Sequence, residues 1–171
     1  MASKEPQTQL SEAEAVRAFW DHLKDRSTVM LGVNATDQHT QPMTTFSEPS
    51  TEEIWFFTRS DTDMVREIAN NNELRLVYAS KDQDLQADII GTVEIKRDQG
   101  RIDRYWNPMV AAWYPEGKDD PHLTLLCFTP HKGQVWVSKQ GLVRLIFQVA
   151  KANITKTPPD VGGTAEVRFT H

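Results

Sequence analysis

The sequence predicts a mainly β fold, an antiparallel barrel of about six strands with flanking helices. Most of the strand-like segments are joined by short runs of turn-forming residues. Strands do not alternate with crossover helices, which argues against a doubly wound parallel sheet. Gly91 lies inside a long strand, where a bulge can curl a sheet towards a barrel.

The first predicted element is an amphipathic helix. Ser11 and Glu14 have the spacing of a capping box, and four apolar residues then recur at helical positions. These four residues are Val16, Phe19, Trp20 and Leu23. We expect this helix to end near Lys24 and to lie across an end or a face of the sheet.

Seven later segments have the composition or the period of strands. They are 28–35, 40–46, 53–57, 73–79, 87–96, an interrupted strand made of 123–129 and 134–137, and an edge strand at 164–170. The first three follow one another through short turns, which is typical of an antiparallel meander. Further helices are expected at 63–69, from Ile102 to Trp106, from Ala111 to Trp113, and at 142–152.

A length of 171 residues suits one domain with a sizeable core. Residues 1–9 are polar, and we expect residues 1–10 to form a flexible N-terminus. Residues 11–171 should then form a single domain. Its core should span about 11–137, and a helix and an edge strand should follow within 141–171.

The stretch from Glu53 to Ile68 is expected to organise the fold. Ile54 to Phe57 is an apolar run too short for a helix, which predicts a strand buried on both faces in the middle of a sheet. Thr58 to Thr62 then form a polar turn, and helical spacing begins at Met64.

This turn has the chemistry of a phosphate site. Thr58 and Ser60 supply hydroxyl groups, Arg59 supplies a guanidinium, and a helix start supplies free N–H groups. The alternative is a capped helix after a core strand, with no ligand. The residues alone leave both interpretations open.

Composition excludes several classes of partner. The net charge is −5, and no dense run of Lys and Arg indicates nucleic acid or an anionic membrane as a partner. No segment approaches the ~20 apolar residues of a membrane helix, and no signal sequence is recognisable. We therefore expect a cytoplasmic protein. Cys127, the only cysteine, lies in an apolar run and is expected to be a packed thiol.

Common catalytic motifs are missing from the sequence. It contains neither Gly-x-Gly-x-x-Gly, nor a Walker loop, nor Gly-x-Ser-x-Gly. The five histidines stand far apart and lack metal-ligand spacing, so we predict no metal site. The sequence identifies no catalytic residue. Trp106, Trp113 and Trp136 could line a ligand groove, a subunit interface or the core.

Several blocks, in this order, carry a resemblance to a known family. They are Gln41-Pro42-Met43, Ile54 to Thr58, Val65 to Ile68 with Asn70, Gly91 to Glu94, Trp106-Asn107-Pro108, Trp113 to Gly117 with Asp120-Pro121, and Val135-Trp136. Over about Leu10 to Val137, the chain resembles the general stress protein branch of the pyridoxamine 5'-phosphate oxidase-like superfamily. The resemblance implies a six-stranded split β-barrel of the type that binds flavin mononucleotide (FMN).

The resemblance also implies a homodimer with two FMN sites, each built from both chains at the interface. By position, the phosphate ligands would be Thr58, Arg59 and Ser60, together with the start of the helix. The isoalloxazine ring and the ribityl chain would lie against three further residues, Pro42, Met43 and Thr44. Trp113 or Trp136 of the partner subunit could cover the ring.

Two positions depart from the family pattern. Family members often have Arg before the Pro-Met pair and Lys at the helix start, where this chain has Gln41 and Met64. Loss of two charge-assisted contacts, each contributing about 1.5–3 kcal/mol, would weaken phosphate binding.

The resemblance suggests a small FMN-dependent oxidoreductase. The alternative is a non-enzymatic protein of the same fold that binds flavin or another small ligand, for example as a sensor. Pyridoxine phosphate oxidation is disfavoured, because the basic substrate-binding signature of that activity is not recognisable around Arg144 or Arg168.

Overall fold

Each strand segment predicted from the sequence forms at least one strand in the computed structural model, which describes residues 8–24, 26–138, 140–141, 143–144 and 162–170. The strands are β1 (Thr8–Gln9), β2 (Thr28–Val33), β3 (Gln41–Thr44), β4 (Phe46–Glu48), β5 (Glu53–Arg59), β6 (Glu73–Ala79), β7 (Leu85–Lys96), β8 (Leu123–Val137) and β9 (Gly163–Arg168). The helices are α1 (Glu12–Leu23), α2 (Asp63–Ile68), α3 (Gln99–Tyr105) and α4 (Pro108–Ala111), with a short 3₁₀ turn at Gly117–Asp119.

A closed ring of antiparallel strands forms the barrel. Strand β2 pairs with β3 and β6, β6 with β7, β7 with β8, β8 with β5, and β5 with β4. The ring closes through Thr45, the buried residue between β3 and β4. Its N–H donates to the carbonyl of Ser27 at 2.9 Å, and its hydroxyl accepts from the N–H of Ser27 at 3.0 Å. The predicted strand 40–46 is therefore divided at Thr45, and β3 and β4 together occupy one of six positions. The predicted six-stranded split barrel is confirmed.

Strand β8 is continuous, whereas the sequence suggested an interruption near Pro130. Its first half pairs with β5 as far as Phe128, and its second half pairs with β9 from Lys132 onward. Pro130 lies between these two partners, where its missing N–H removes no ladder bond on that side. Opposite it, the register shifts between Ile90 and Gly91. A Cβ on Gly91 would lie 2.2 Å from the carbonyl oxygen of Thr129, so the predicted bulge at this glycine is confirmed.

Alternation along the strands separates an inner and an outer face. One cross-strand row faces outward and is partly or fully exposed; we call it the outer row. Its members are Pro42, Met30, Val77, Asp88, Gln134 and Glu166. The next row faces inward and packs in the core. Its members are Met43, Val29, Tyr78, Ala87, Val135 and Ala165.

Helix α1 packs against the inner core as the sequence predicted. The Ser11 hydroxyl accepts from the N–H of Glu14, and the Glu14 carboxylate accepts from the N–H of Ser11, so the capping box is present. Trp20 and Phe169 meet edge to face with ring centroids 5.9 Å apart, which joins α1 to the end of β9. Thr8 and Gln9, which the sequence places in a flexible N-terminus, form β1 parallel to β9.

A second core lies outside the barrel, where α3 and α4 cover β4, β5 and the first half of β8. Its buried members are Phe46, Trp55, Ile102, Val110, Tyr114, Leu123, Leu125 and Cys127. Strand β5 separates the two cores, because Ile54 and Phe56 belong to the inner core and Trp55 to the second. The prediction of a strand buried on both faces is confirmed. The predicted helix 142–152 lies almost entirely outside the described residues.

Candidate functional site

The polar turn after β5 is shorter than the sequence indicated. Thr58 and Arg59 still belong to β5 and pair with Thr124 and Leu123 of β8. The N–H of Ser60 donates to the carbonyl of His122 at 2.8 Å. Thr62 caps α2, because its hydroxyl accepts from the N–H of Val65. The turn is thus held rigidly against the loop that precedes β8.

Acidic side chains already neutralise the cations of this turn. Arg59 donates two hydrogen bonds to the carboxylate of Asp61, at 3.1 and 3.0 Å. These bonds lower the pKa of Asp61, so this carboxylate remains ionised at neutral pH. On α2, Arg66 pairs with Asp63 and donates to the carbonyl of Asp61 at 2.7 Å. A bound phosphate would have to replace Asp61 as the partner of Arg59, and α2, with only six residues, would contribute little dipole.

A loop from α4 to β8 supports the turn from one side. The Tyr114 hydroxyl donates to the carbonyl of Thr58 at 2.8 Å. Burial raises the pKa of Tyr114 to about 12, so the hydroxyl remains a donor throughout the physiological range. Arg97 donates to three carbonyls of this loop, those of Lys118, Asp120 and Leu123. Nothing in the sequence distinguishes Arg97 from a surface arginine, whereas Tyr114 lies within the Trp113 to Gly117 block that carries the family resemblance.

The residues of β3 divide between the two faces of the sheet. Pro42 and Thr44 are exposed, Gln41 is half-buried, and Met43 packs against the inner core. Strand β3 also contacts β5, the strand that ends in Thr58 and Arg59. Met64 is 2% exposed and lies in the inner core. Its side chain supports the start of α2 from below and does not reach the surface of the turn.

The two tryptophans predicted to cover a ligand lie in different places. Trp113 is 73% exposed and directly precedes Tyr114, whose hydroxyl contacts the Thr58 carbonyl of the same chain. Trp136 is exposed on the outer face of β8, one position of the same face beyond Gln134. Around the ring, β2, β6 and β7 separate β8 from β3 on one side, and β5 and β4 separate them on the other. Trp136 and Pro42 therefore do not lie on neighbouring strands of the same chain.

Beyond this site, the described residues provide none of three other functional features: a reactive thiol, a metal site and a membrane-spanning helix. Burial raises the pKa of the Cys127 thiol to about 12, so this cysteine is a packed thiol and not a nucleophile. No group of three His, Cys, Asp or Glu side chains that could hold a metal occurs in the described ranges. None of the helices in the described part of the chain is long and apolar enough to span a bilayer.

The barrel and the turn define a split-barrel protein with a rigid polar turn next to an exposed sheet face. Residues 14–160 match the family model described as pyridoxamine 5'-phosphate oxidase like. The chain therefore belongs to the pyridoxamine 5'-phosphate oxidase-like family. No curated protein matches the chain significantly.

Solved structures of general stress proteins are similar to this chain. One, described as general stress protein 26 from Jannaschia sp. CCS1, has 32% identity and a TM-score of 0.74, over 93% of this chain and 100% of its own. The general stress FMN/FAD binding protein from Xanthomonas citri has 37% identity and a TM-score of 0.65, over 74% and 90%. A general stress family protein from Xanthomonas campestris pv. campestris has 37% identity and a TM-score of 0.66, over 75% and 90%.

Proposed function

We propose that this protein binds FMN at the interface of a homodimer and acts as a small flavin-dependent oxidoreductase. One observation carries the proposal. The Thr58–Ser60 turn and the outward-facing Pro42 and Thr44 belong to strands that contact each other, at the margin of an exposed apolar sheet face. The similarity to the Xanthomonas citri protein, which is described as FMN/FAD binding, supports a flavin as the ligand.

The outer row supports the dimer. Pro42, Met30 and Val77 follow one another on adjacent strands and are all exposed. Beside them, Asp88 pairs with Arg75 at 2.5 Å, and its Oδ1 atom has no hydrogen-bond partner among the described residues. A second copy would bury this apolar strip. It could also bring the partner's Trp136 to a ring on Pro42.

The residues of the site would have distinct roles. The hydroxyls of Thr58 and Ser60 and the guanidinium of Arg59 would hold the phosphate. Pro42 and Thr44 would lie against the ring and the ribityl chain, and Trp113 would shield the turn from water. Met43, which is partly buried, and Met64, which is buried, would fix the backbone that carries these residues. FMN itself supplies the redox chemistry, because its N5 atom accepts and donates hydride.

A specific observation favours the alternative, a non-enzymatic flavin-binding or ligand-binding protein. Arg59 is paired with Asp61, and Arg66 with Asp63, so the turn offers little net positive charge to a dianionic phosphate. The Tyr114 hydroxyl, a proton donor close to the turn, already donates to the carbonyl of Thr58. Weak binding without turnover would follow from these contacts.

Flavin titration with paired variants tests the phosphate site. FMN, FAD and riboflavin are titrated into the apo protein while quenching of flavin fluorescence is recorded. We expect about one FMN per chain and much weaker binding of riboflavin, which lacks the phosphate. Arg59→Gln should weaken FMN binding at least tenfold, since a charge-assisted contact contributes about 1.5–3 kcal/mol. Asp61→Asn should strengthen it by releasing Arg59.

Arg66→Gln is the matched control, because it removes the same charge from an exposed ion pair nearby. If Arg66→Gln weakens FMN binding as much as Arg59→Gln, binding depends only on the net charge near the turn, and the assignment of Arg59 as a phosphate ligand is wrong. If neither FMN nor FAD binds, the proposed cofactor is wrong. Anaerobic mixing of the loaded protein with NADH or NADPH separates the two functions. Rapid bleaching of the flavin supports an oxidoreductase, whereas bleaching by dithionite alone supports the non-enzymatic alternative.

Light scattering during gel filtration tests the dimer. Val77→Glu places a charge in the middle of the outer row and should yield a monomer with lost flavin affinity. Ile95→Glu is the control, because Ile95 is 42% exposed, close to the 39% of Val77, and lies outside the row. A wild-type monomer, or a dimer that survives Val77→Glu, would exclude this interface.

A further inference from the structure

A crevice lies beside the second core. It is found where Lys24 and Arg26 approach β4 and the end of α3, and its volume is about 270 Å³. Three cationic side chains, three aromatic rings and one hydroxyl line it. They are Lys24, Arg26, Arg104, Phe46, Tyr105, Trp106 and Ser47. None of these residues belongs to the proposed flavin site.

The aromatic residues form a fixed wall. Phe46 is buried, and its ring lies 4.8 Å from that of Tyr105 with an interplanar angle of 31°. The Tyr105 hydroxyl donates to Glu48 at 2.6 Å, which fixes the ring. Trp106 packs edge-on against Phe57 at 6.2 Å. These contacts hold the three rings in place before a ligand binds, so their ordering costs little conformational entropy.

Two of the three cations of the crevice are incompletely neutralised, whereas Lys24 pairs with Asp21. Arg26 has no acidic partner within the described ranges, and its φ of +43° is a conformation that favours glycine. Arg104 lies 6.0 Å from the Tyr105 ring centroid and approaches Glu48 only at 3.5 Å. Glu48 is already held by Arg101 through two hydrogen bonds of 3.1 and 2.8 Å. Arg104 can therefore turn to a ligand without leaving a buried carboxylate unpaired.

We propose that this crevice binds a small aromatic anion, one or two rings carrying a phosphate or a carboxylate. The rings would lie against Tyr105 and Trp106, and the anionic group would pair with Arg26 and Arg104. The volume supports this size. An apolar cavity of about 150 Å³ holds benzene, whereas most pockets for drug-sized ligands exceed about 300 Å³. Because Arg and aromatic side chains act together, neither charge nor ring alone should bind well.

Isothermal titration of the full chain without flavin tests the proposal, with 1-naphthyl phosphate and 1-naphthoate as probes. We expect saturable binding of at least one of them, and the stronger probe identifies the acidic group. 1-Naphthol has the ring without the charge, and inorganic phosphate has the charge without the ring. Each should bind at least tenfold more weakly. Arg26→Gln and Arg104→Gln should each weaken binding of the stronger probe about tenfold.

Arg17→Gln is the matched control, because it removes one exposed positive charge from α1, away from the crevice. Binding should be unchanged in this variant, and FMN affinity should be unchanged in all three. The proposal is overturned if neither probe binds, or if Arg17→Gln weakens binding as much as the crevice variants. It is equally overturned if FMN displaces the probe while Arg26→Gln and Arg104→Gln leave its binding intact. Because no flavin is added in the main titration, failure here does not depend on the proposed flavin site.

Discussion

The two ends of β5 place arginine–carboxylate pairs in opposite settings. Near its start, Arg101 contacts Glu48, Glu53 and Asp98 and lies 4.0 Å from the ring centroid of Trp55. At its end, Arg59 has Asp61 as its one acidic partner among the described residues, and both side chains are partly exposed. The first arrangement is multiply connected and shielded from water, so it is structural. The second is single and screened, so a ligand can replace the carboxylate at small cost.

The largest expected effect on stability comes from β5 itself, where a side chain in the middle of the strand is compared with one near its end. Phe56→Ala should leave a cavity in the inner core and lower the free energy of unfolding by about 3–5 kcal/mol. Thr58→Ala, two residues further on, truncates a half-exposed side chain and should cost less than about 1 kcal/mol. Urea unfolding monitored by circular dichroism measures both. Equal losses would show that the end of β5 is as integral to the core as its middle.

Removal of the structural arginine should have the next largest effect. Arg101→Met leaves Glu48, which is 12% exposed, without its bidentate partner. We expect the free energy of unfolding to fall by about 3 kcal/mol, because an ionised carboxylate remains poorly solvated. Burial opposes ionisation of Glu48, but hydrogen bonds from Arg101 and Tyr105 outweigh it and lower its pKa.

The lowered pKa of Glu48 gives this prediction a pH dependence. A carboxylate whose pKa is lower in the folded state stabilises the fold above its unfolded pKa of about 4.5, and this contribution disappears as the pH falls through the folded value. As the pH falls from about 4.5 through the lower pKa of Glu48 in the folded state, wild type should therefore lose stability more steeply than Arg101→Met. Parallel curves for the two proteins would contradict a structural role for the pair.

Tyr114→Phe should have an intermediate effect on the support of the turn. Loss of the bond to the Thr58 carbonyl should cost about 1 kcal/mol at neutral pH. The pKa of Tyr114 is raised to about 12 in the folded protein, so its contribution is complete below pH 10 and is lost as the pH rises through 12. The stability difference between wild type and variant should shrink over this range. A constant difference would mean that the pKa of the Tyr114 hydroxyl is the same in the folded and the unfolded protein.

The smallest effect is expected at the exposed pair. Asp61→Asn should change the free energy of unfolding by less than about 0.5 kcal/mol, because the pair with Arg59 is solvent-exposed. Thermal unfolding without ligand measures this effect. A loss of several kcal/mol would indicate that Asp61 holds the turn together, and the two ends of β5 would then be alike.

Sequence reasoning predicted the parts of the fold that depend on local chemistry. The capping box at Ser11, the bulge at Gly91 and the double burial of Ile54 to Phe57 follow from patterns within a few residues. The division of β3 from β4 does not, because it depends on a contact between Thr45 and Ser27. Likewise, β5 extends through Arg59 because β8 offers it partners there.

The sequence shows which residue types the candidate site contains, but it does not show which side chains pair with one another. The sequence identifies Thr58, Arg59 and Ser60 as a turn whose side chains could bind a phosphate. It cannot show that the Arg59 guanidinium already pairs with the Asp61 carboxylate. It also cannot distinguish Met64 as a core residue, since helix phase alone does not determine which face is covered. The supporting role of Arg97 depends on carbonyls more than twenty residues away, and no local signal indicates it.

The position of β8 between β5, β7 and β9 has a consequence for synthesis in the cell. Strand β5 carries the most aromatic apolar run of the chain, and one of its edges pairs only with β8. During translation, β5 leaves the ribosome well before β8 is synthesised. Until then, this edge of β5 remains unpaired and its apolar side chains remain exposed. Such an edge is a site for aggregation or chaperone binding. We therefore expect nascent chains that end before Leu123 to be the species that chaperones retain, and release to follow emergence of β8.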